Sequence, residues 1–224
     1  RAIDLTAFLG QWPTRLQISA SASDLSDMAN QYNLEGICVS HFASIFGFDT
    51  RSGNEALFAD VSDDRRLWPF AILNPKEPAW DLELEWAAKK GAQGIRIVPG
   101  YHNYSLLDPQ VAKLVERLTE LNLPLHVCAR LEDERLQHPR MQAKTPPFYE
   151  LAELLRISEH SAVILSGLRA REWKNVKELL NEGHRLDHVL LDLCFTNGPL
   201  GVIAALCREG EIDRFAYGSC APLQ

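Results

Sequence analysis

The chain has little of what several large function classes require. Its 23 basic residues against 30 acidic ones give a formal charge of -7, and no Lys/Arg block of the kind that tracks a phosphate backbone occurs. Nucleic acid is not an expected partner. No apolar run reaches the roughly 20 residues that span a bilayer, and the first residues lack a charged segment followed by an apolar one, so no membrane association is expected. The five cysteines, Cys38, Cys128, Cys194, Cys207 and Cys220, are odd in number, scattered and without a CxxC pair. A disulfide framework is therefore not expected, and a reducing cytoplasm is the expected location. The glycines of NGPLG lack GxGxxG spacing, which removes the usual signal for a dinucleotide site. Repeats, low-complexity tracts and an interdomain linker are also missing, so residues 1–224 read as one domain.

What is present is an alternation. At 46% hydrophobic content the chain can bury one sizeable core, and apolar runs of strand length alternate with segments of helical period, the pattern of βαβ units. Strands are predicted over Ala2 to Phe8, Gly36 to His41, Leu67 to Leu73, Gly94 to Val98, Pro124 to Ala129, Ala162 to Leu165, His188 to Leu193 and Arg214 to Tyr217. Between them lie helix ends: Ser23 as the cap of a helix to about Tyr32, and Asp108 with Pro109 ahead of VAKLVERLTEL. Gly91 and Gly183 sit at stop positions, and a last helix is predicted from about Leu200 to Glu209. Eight such units predict an α/β fold, the TIM (β/α)8 barrel, whereas a flavodoxin-like sheet needs only about five strands. The eighth helix is absent before Gln224; a missing tail or a second subunit, as in a homodimer, is expected to cover that seam.

The stretch Leu123 to Pro139, LPLHVCARLEDERLQHP, starts as a buried strand and ends as a polar cluster. Alternation places His126, Cys128 and Arg130 on one face, and chemistry in such barrels sits at the carboxyl ends of the strands. Strand ends also supply Thr6, Phe8, His41, Asn74, Tyr101, His102, Ser166, Asp192, Cys194, Ser219 and Cys220.

Here the chain resembles a family. AIDLTAFLG is similar to the first strand of the amidohydrolase-related metal-dependent hydrolases, GIRIVPGYHNYSLLDP to their fourth, LPLHVCAR to their fifth, VILSGL to their sixth and RFAYGSCAP to their eighth. The resemblance implies a TIM barrel with one or two divalent metals, usually zinc, that activate water for C–N or C–O hydrolysis or assist decarboxylation. The ligands differ, however. Where the family has Asp-x-His-x-His, Asp4 is followed by Thr6 and Phe8; Cys128 and Ser166 take the fifth- and sixth-strand histidine positions, and Cys220 that of the closing aspartate. The resemblance thus implies a degenerate metal centre, and no cofactor is expected there. Two readings of the thiols stand: Cys128 and Cys220 as a rebuilt zinc site with nitrogen from His126 or His41, or as small apolar fillers.

A metal-free pocket gives the charged residues their candidate roles. Arg96 and Arg130, on adjacent strands, could clamp a carboxylate or phosphate of a small-molecule ligand, with Tyr101, His126 and Ser219 beside them. Arg96 could equally be a buried ion pair with Asp4 or Asp192, His126 a hydrogen-bonded core residue, and Ser219 a strand-end cap. His102 and His138 are the candidate proton carriers. Asp133, next to Arg135, is a candidate acid or base whose carboxyl should keep a low pKa, unless the whole Glu132 to His138 run is a solvated loop. Two functions follow as expectations: a hydrolase-like or lyase-like enzyme acting on a small anionic substrate at the C-terminal mouth, or a non-catalytic barrel that binds a small carboxylate or serves as a subunit of an assembly.

Overall fold

Residues Ala2–Gln11 form one long, mostly buried strand, β1, and the sheet is laid out from it. The computed structural model describes residues 2–14, 17–180, 183–196 and 201–223. A short strand, β2 (Ser19–Ala20), returns antiparallel along the end of β1. Parallel strands then follow in chain order: β3 (Leu34–His41), β4 (Leu67–Ile72), β5 (Gly94–Ile97), β6 (Leu125–Cys128), β7 (Val163–Ser166), β8 (Val189–Asp192) and β9 (Phe215–Ala216). The sheet closes on itself. Leu5 N–H donates to Tyr217 O at 2.9 Å, Phe8 N–H to Ala221 O at 2.8 Å and Cys220 N–H to Thr6 O at 2.8 Å. Parallel strands joined by helices and closed in this way make a TIM barrel, with β2 outside it.

The helices are α1 (Ala22–Gln31), α2 (Ala43–Phe46), α3 (Thr50–Asp60), α4 (Trp80–Lys89), α5 (Pro99–His102), α6 (Pro109–Leu121), α7 (Phe148–Ile157), α8 (Ala170–Leu179) and α9 (Val202–Leu206). Helix α6 shows the local logic. Asp108 accepts the Gln110 N–H at 2.9 Å, Pro109 sets the first turn, and Val111, Leu114, Val115 and Leu118 form one apolar face. That face joins Ala71, Ile95, Val127, Leu165 and Leu191 from the outside of the barrel and Leu151 and Trp173 from α7 and α8 in the largest core. A second outer core packs α1 and α3 on β1 and β3.

Several sequence expectations shift. The cap of α1 is Ser21, not Ser23: Ser21 is extended and exchanges hydrogen bonds with Asp24 three residues on, whereas Ser23 already lies in the first turn. The short α2, α5 and β2 were not expected. The last helix is described from Val202 and passes into a wider turn at Cys207–Glu211; its expected start at Leu200, with residues 197–200 of NGPLG, lies outside the described residues.

At the end of β7 the chain must turn through a tight gap. Gly167 has φ +81°, and a Cβ there would lie 2.4 Å from Arg130 O and 2.6 Å from Arg130 N, both backbone atoms. Gly91 has φ +92° but no atom within 4 Å of its would-be Cβ. Gly167→Ala should therefore cost about 2–4 kcal/mol, a fall in Tm of roughly 5–15 °C, and Gly91→Ala only about 1 kcal/mol. Thermal unfolding of both variants checks this, and equal losses would show that backbone crowding at Gly167 is absent.

Candidate functional site

Within the barrel, apolar layers enclose a polar one. Leu5, Cys38, Phe70 and Ile164 fill the lower interior. Above them lie Thr6, Arg96, His126, Ser166 and Asp192, each no more than 1% exposed. A register shift in β1 helps to load this layer. Asp4 pairs with Ile37 and Ala7 with Val39, so Leu5 and Thr6 together face the single residue Cys38.

Arg96 holds the layer. Its guanidinium donates to Ala7 O, Leu5 O and Cys38 O at 3.1 Å each, and its Nε donates to His126 Nδ1 at 3.2 Å. Because arginine can only donate, His126 is the neutral tautomer protonated at Nε2. That nitrogen faces Thr6 Oγ1 at 3.4 Å and Cys128 Sγ at 3.9 Å. Burial, with the Arg96 charge beside it, pushes the His126 pKa well below its ordinary value. Asp192 accepts from the Thr6 hydroxyl and, at 3.1 Å, from Cys194 N–H. Arg96 is thus neither part of an anion clamp nor in a direct ion pair with Asp4 or Asp192 among the described contacts.

The C-terminal mouth is packed with aromatic rings. Phe8 lies over the Arg96 guanidinium at 4.7 Å and stacks on Phe42 with centroids 4.9 Å apart. Trp12 stands edge-on to Phe42, Phe46 and Tyr101. Ile72, Val98, Cys128, Leu131, Cys194, Phe195 and Cys220 complete this buried cluster. The run HFASIFGF carried a signal for it, but which Phe turns over the barrel depends on the turns after β3.

The donor set does not fit the metal that the fold family implies. Phe8 has no donor, Thr6 and Ser166 offer neutral hydroxyls, and Cys128 and Cys220 are free thiols inside the aromatic cluster. Burial pushes the Cys128 thiol up to about 12. Among the described residues no group of three or more His, Cys, Asp and Glu is arranged to hold an ion, whereas an open catalytic zinc site needs about three protein donors. His41 is turned elsewhere, its Nδ1 accepting the Ala43 N–H at 3.0 Å.

The remaining candidates are dispersed. Arg130 forms a two-pronged pair with Glu172 at 2.9 Å, meets Glu134 at 2.8 Å and donates to Gly167 O at 2.7 Å. Asp133 caps the turn Glu134–Leu136, and Arg135 at 2.6 Å holds its carboxyl well below the usual range. His138 is exposed and accepts the Arg140 N–H at 3.2 Å. His102 packs by the backbone of Ser44 and Ile45, and burial brings its pKa down to about 4. Tyr101 belongs to the aromatic seal. Ser219 helps to close the barrel: its N–H donates to Asp4 Oδ1 at 3.0 Å and its hydroxyl to Thr6 O at 3.3 Å. Glu172, which sequence reasoning missed, lies 42 residues from its Arg130 partner.

Fold and strand-end geometry define the class, a parallel TIM barrel with its polar layer under the C-terminal face. The family model described as Amidohydrolase matches residues 40–219, and the chain belongs to the amidohydrolase family. Solved structures of similar fold include three with a carboxylate compound in their names. A probable 2-pyrone-4,6-dicarboxylic acid hydrolase from Acinetobacter baumannii with citric acid bound is 14% identical, with TM-score 0.66 over 100% of this chain and 85% of that one. A 2,6-dihydroxybenzoate decarboxylase from Rhizobium is 15% identical, with TM-score 0.66 over 100% and 89%. A 4-oxalomesaconate hydratase from Rhodopseudomonas palustris is 15% identical, with TM-score 0.66 over 98% and 81%. A comparison with curated proteins finds no match. Among the described residues no helix is long and apolar enough to cross a membrane.

The polar layer has a pH signature. Burial raises the Asp192 carboxyl from 3.8 to about 6, so the folded chain takes up this proton before the unfolded chain does. Its contribution to stability grows as pH falls from 6 toward 4 and is lost above 6. His126, held below its ordinary 6.5, acts in the opposite sense, because the unfolded chain binds its proton first. Asp192→Asn removes the compensating group, and between pH 7 and 4.5 the variant should lose about 1–2 kcal/mol more than the wild type. Urea unfolding at the two pH values measures this; equal losses would mean that Asp192 titrates normally.

Proposed function

We propose that this chain is an amidohydrolase-family barrel that recognises a small carboxylate at its C-terminal face without the family's hydrolytic metal centre. Phe8 carries the reading. At a position where the resemblance assigns a histidine ligand, it places a ring that stacks on Phe42 and covers Arg96. A substrate carbonyl or a metal-bound water would have to displace packed aromatic surface, and burying such a ring contributes about 1.5–3 kcal/mol. The carboxylate draws support from the names of the structural neighbours, a dicarboxylic acid hydrolase, a dihydroxybenzoate decarboxylase and an oxalomesaconate hydratase.

Family membership favours a second reading, a metal-free hydrolase or lyase with His102 or His138 moving protons. Binding is the better-supported function, because a His102 imidazole with its pKa near 4 is a weak base at neutral pH. Elemental analysis tests the primary reading, after purification without chelator and again after zinc or manganese is supplied. The expected result is well below one metal per chain, unchanged in Cys128→Ala and Cys220→Ala. One metal per chain that disappears in either variant would overturn it and restore a thiolate centre.

A further inference from the structure

We propose that the carboxylate ligand is held in the cleft between α5 and the segment 138–147, against Arg140 and Lys144, and that it is a small anion bearing two or more carboxylates; the proposal rests on the reading above. The cleft opens on the C-terminal face next to the aromatic seal, which supplies Tyr101 to its wall, and has a volume of about 530 Å³. Clefts of this size accommodate small organic ligands. Tyr104, Met141 and Pro146 give it apolar walls, while Asn103, Arg140 and Lys144 give it polar ones.

The charges on this part of the C-terminal face divide into paired and unpaired ones. Arg130 and Arg169 face Glu134 and Glu172, Arg135 faces Asp133, Lys76 faces Asp108, and Arg96 is engaged by carbonyls. Arg140 and Lys144 are exposed and have no ion-pair partner among the described residues. The acid in the lining, Glu150, is buried, and its Oε2 accepts the Leu106 N–H at 2.7 Å. Two separate cations, the second a point charge on a flexible stem, match a ligand with at least two anionic groups better than a single carboxylate.

The cleft is also built to keep its shape. A Cβ on Gly100 would lie 2.2 Å from Lys144 O, so the 138–147 segment rests directly on α5. Gln137 Nε2 donates to Ala143 O at 3.0 Å and Thr145 Oγ1 to Glu134 Oε1 at 3.0 Å, which fixes the segment at both ends. Little ordering is then left for the ligand to impose.

Isothermal titration of the whole chain with citrate, benzoate and inorganic phosphate tests the proposal, in wild type, Arg140→Ala, Lys144→Ala, the double variant and Arg135→Ala. Citrate should bind the wild type more tightly than benzoate or phosphate, and added salt should weaken it. The double variant should lose at least about tenfold in affinity, equivalent to about 1.4 kcal/mol, while Arg135→Ala on the same face should bind as the wild type does. Citrate binding that survives in the double variant would overturn the cleft and leave the carboxylate reading standing. Phosphate or benzoate binding as tightly as citrate would overturn the polycarboxylate class. No binding of any carboxylate by the wild type would overturn the site and the reading together.

Discussion

One guanidinium ties the barrel together. Arg96 rises from β5, takes carbonyls of β1 and β3 and a ring nitrogen of β6, and carries the Phe8 ring on its face. Without it three buried carbonyls and a ring nitrogen would each lose a donor, and a buried acceptor left unpaired costs about 1–3 kcal/mol. The charge is fully buried; it is stabilised by carbonyl dipoles, by the ring above and by Asp192 nearby. A fixed organic cation thus joins β1, β3, β5 and β6 across the barrel interior.

The other features of the interior follow from that charge. His126 must stay neutral beside it, which fixes its tautomer and directs Nε2–H toward Thr6 and Cys128. The β1 shift supplies the Leu5 and Ala7 carbonyls to the guanidinium while turning Thr6 toward Asp192. Above the layer, Phe8, Phe42 and Trp12 exclude water from it, which makes the polar contacts below stronger and their loss more costly. On the proposed reading recognition falls to the rim, where Glu134 ties the 131–147 segment to Arg130 and Arg140 and Lys144 line the cleft.

Much of the architecture was legible because it is local. The alternation of LHVCAR places His126 and Cys128 inside the barrel, and the apolar spacing of α6 with its Asp108-Pro109 start needs no distant partner. The site was less legible because its determinants are long-range. AIDLTAFLG reads as an unbroken strand, and the shift that puts both Leu5 and Thr6 opposite Cys38 becomes visible only in the pairing with β3. Arg130, which alternation would allow to face the barrel interior, lies beyond the end of β6 and meets Glu172 on α8 instead. Substitution of the mapped ligands was readable from Thr6, Phe8, Cys128, Ser166 and Cys220; what filled the space was not, since Trp12 comes from the turn after β1, and Phe42 and Phe46 from the short helix α2 and its cap, whose placement no local pattern sets.

The most direct measurement of the central claim is nitrogen-edited NMR of the arginine side chains, with Arg96 assigned by its disappearance in Arg96→Lys. A guanidinium fixed to three carbonyls and a ring nitrogen should give resolved Nε–H and Nη–H signals at neutral pH, slow to exchange with water and unmoved by chelator. Signals averaged by rotation and exchanging as fast as those of exposed Arg135, or shifting when chelator is added, would contradict the account.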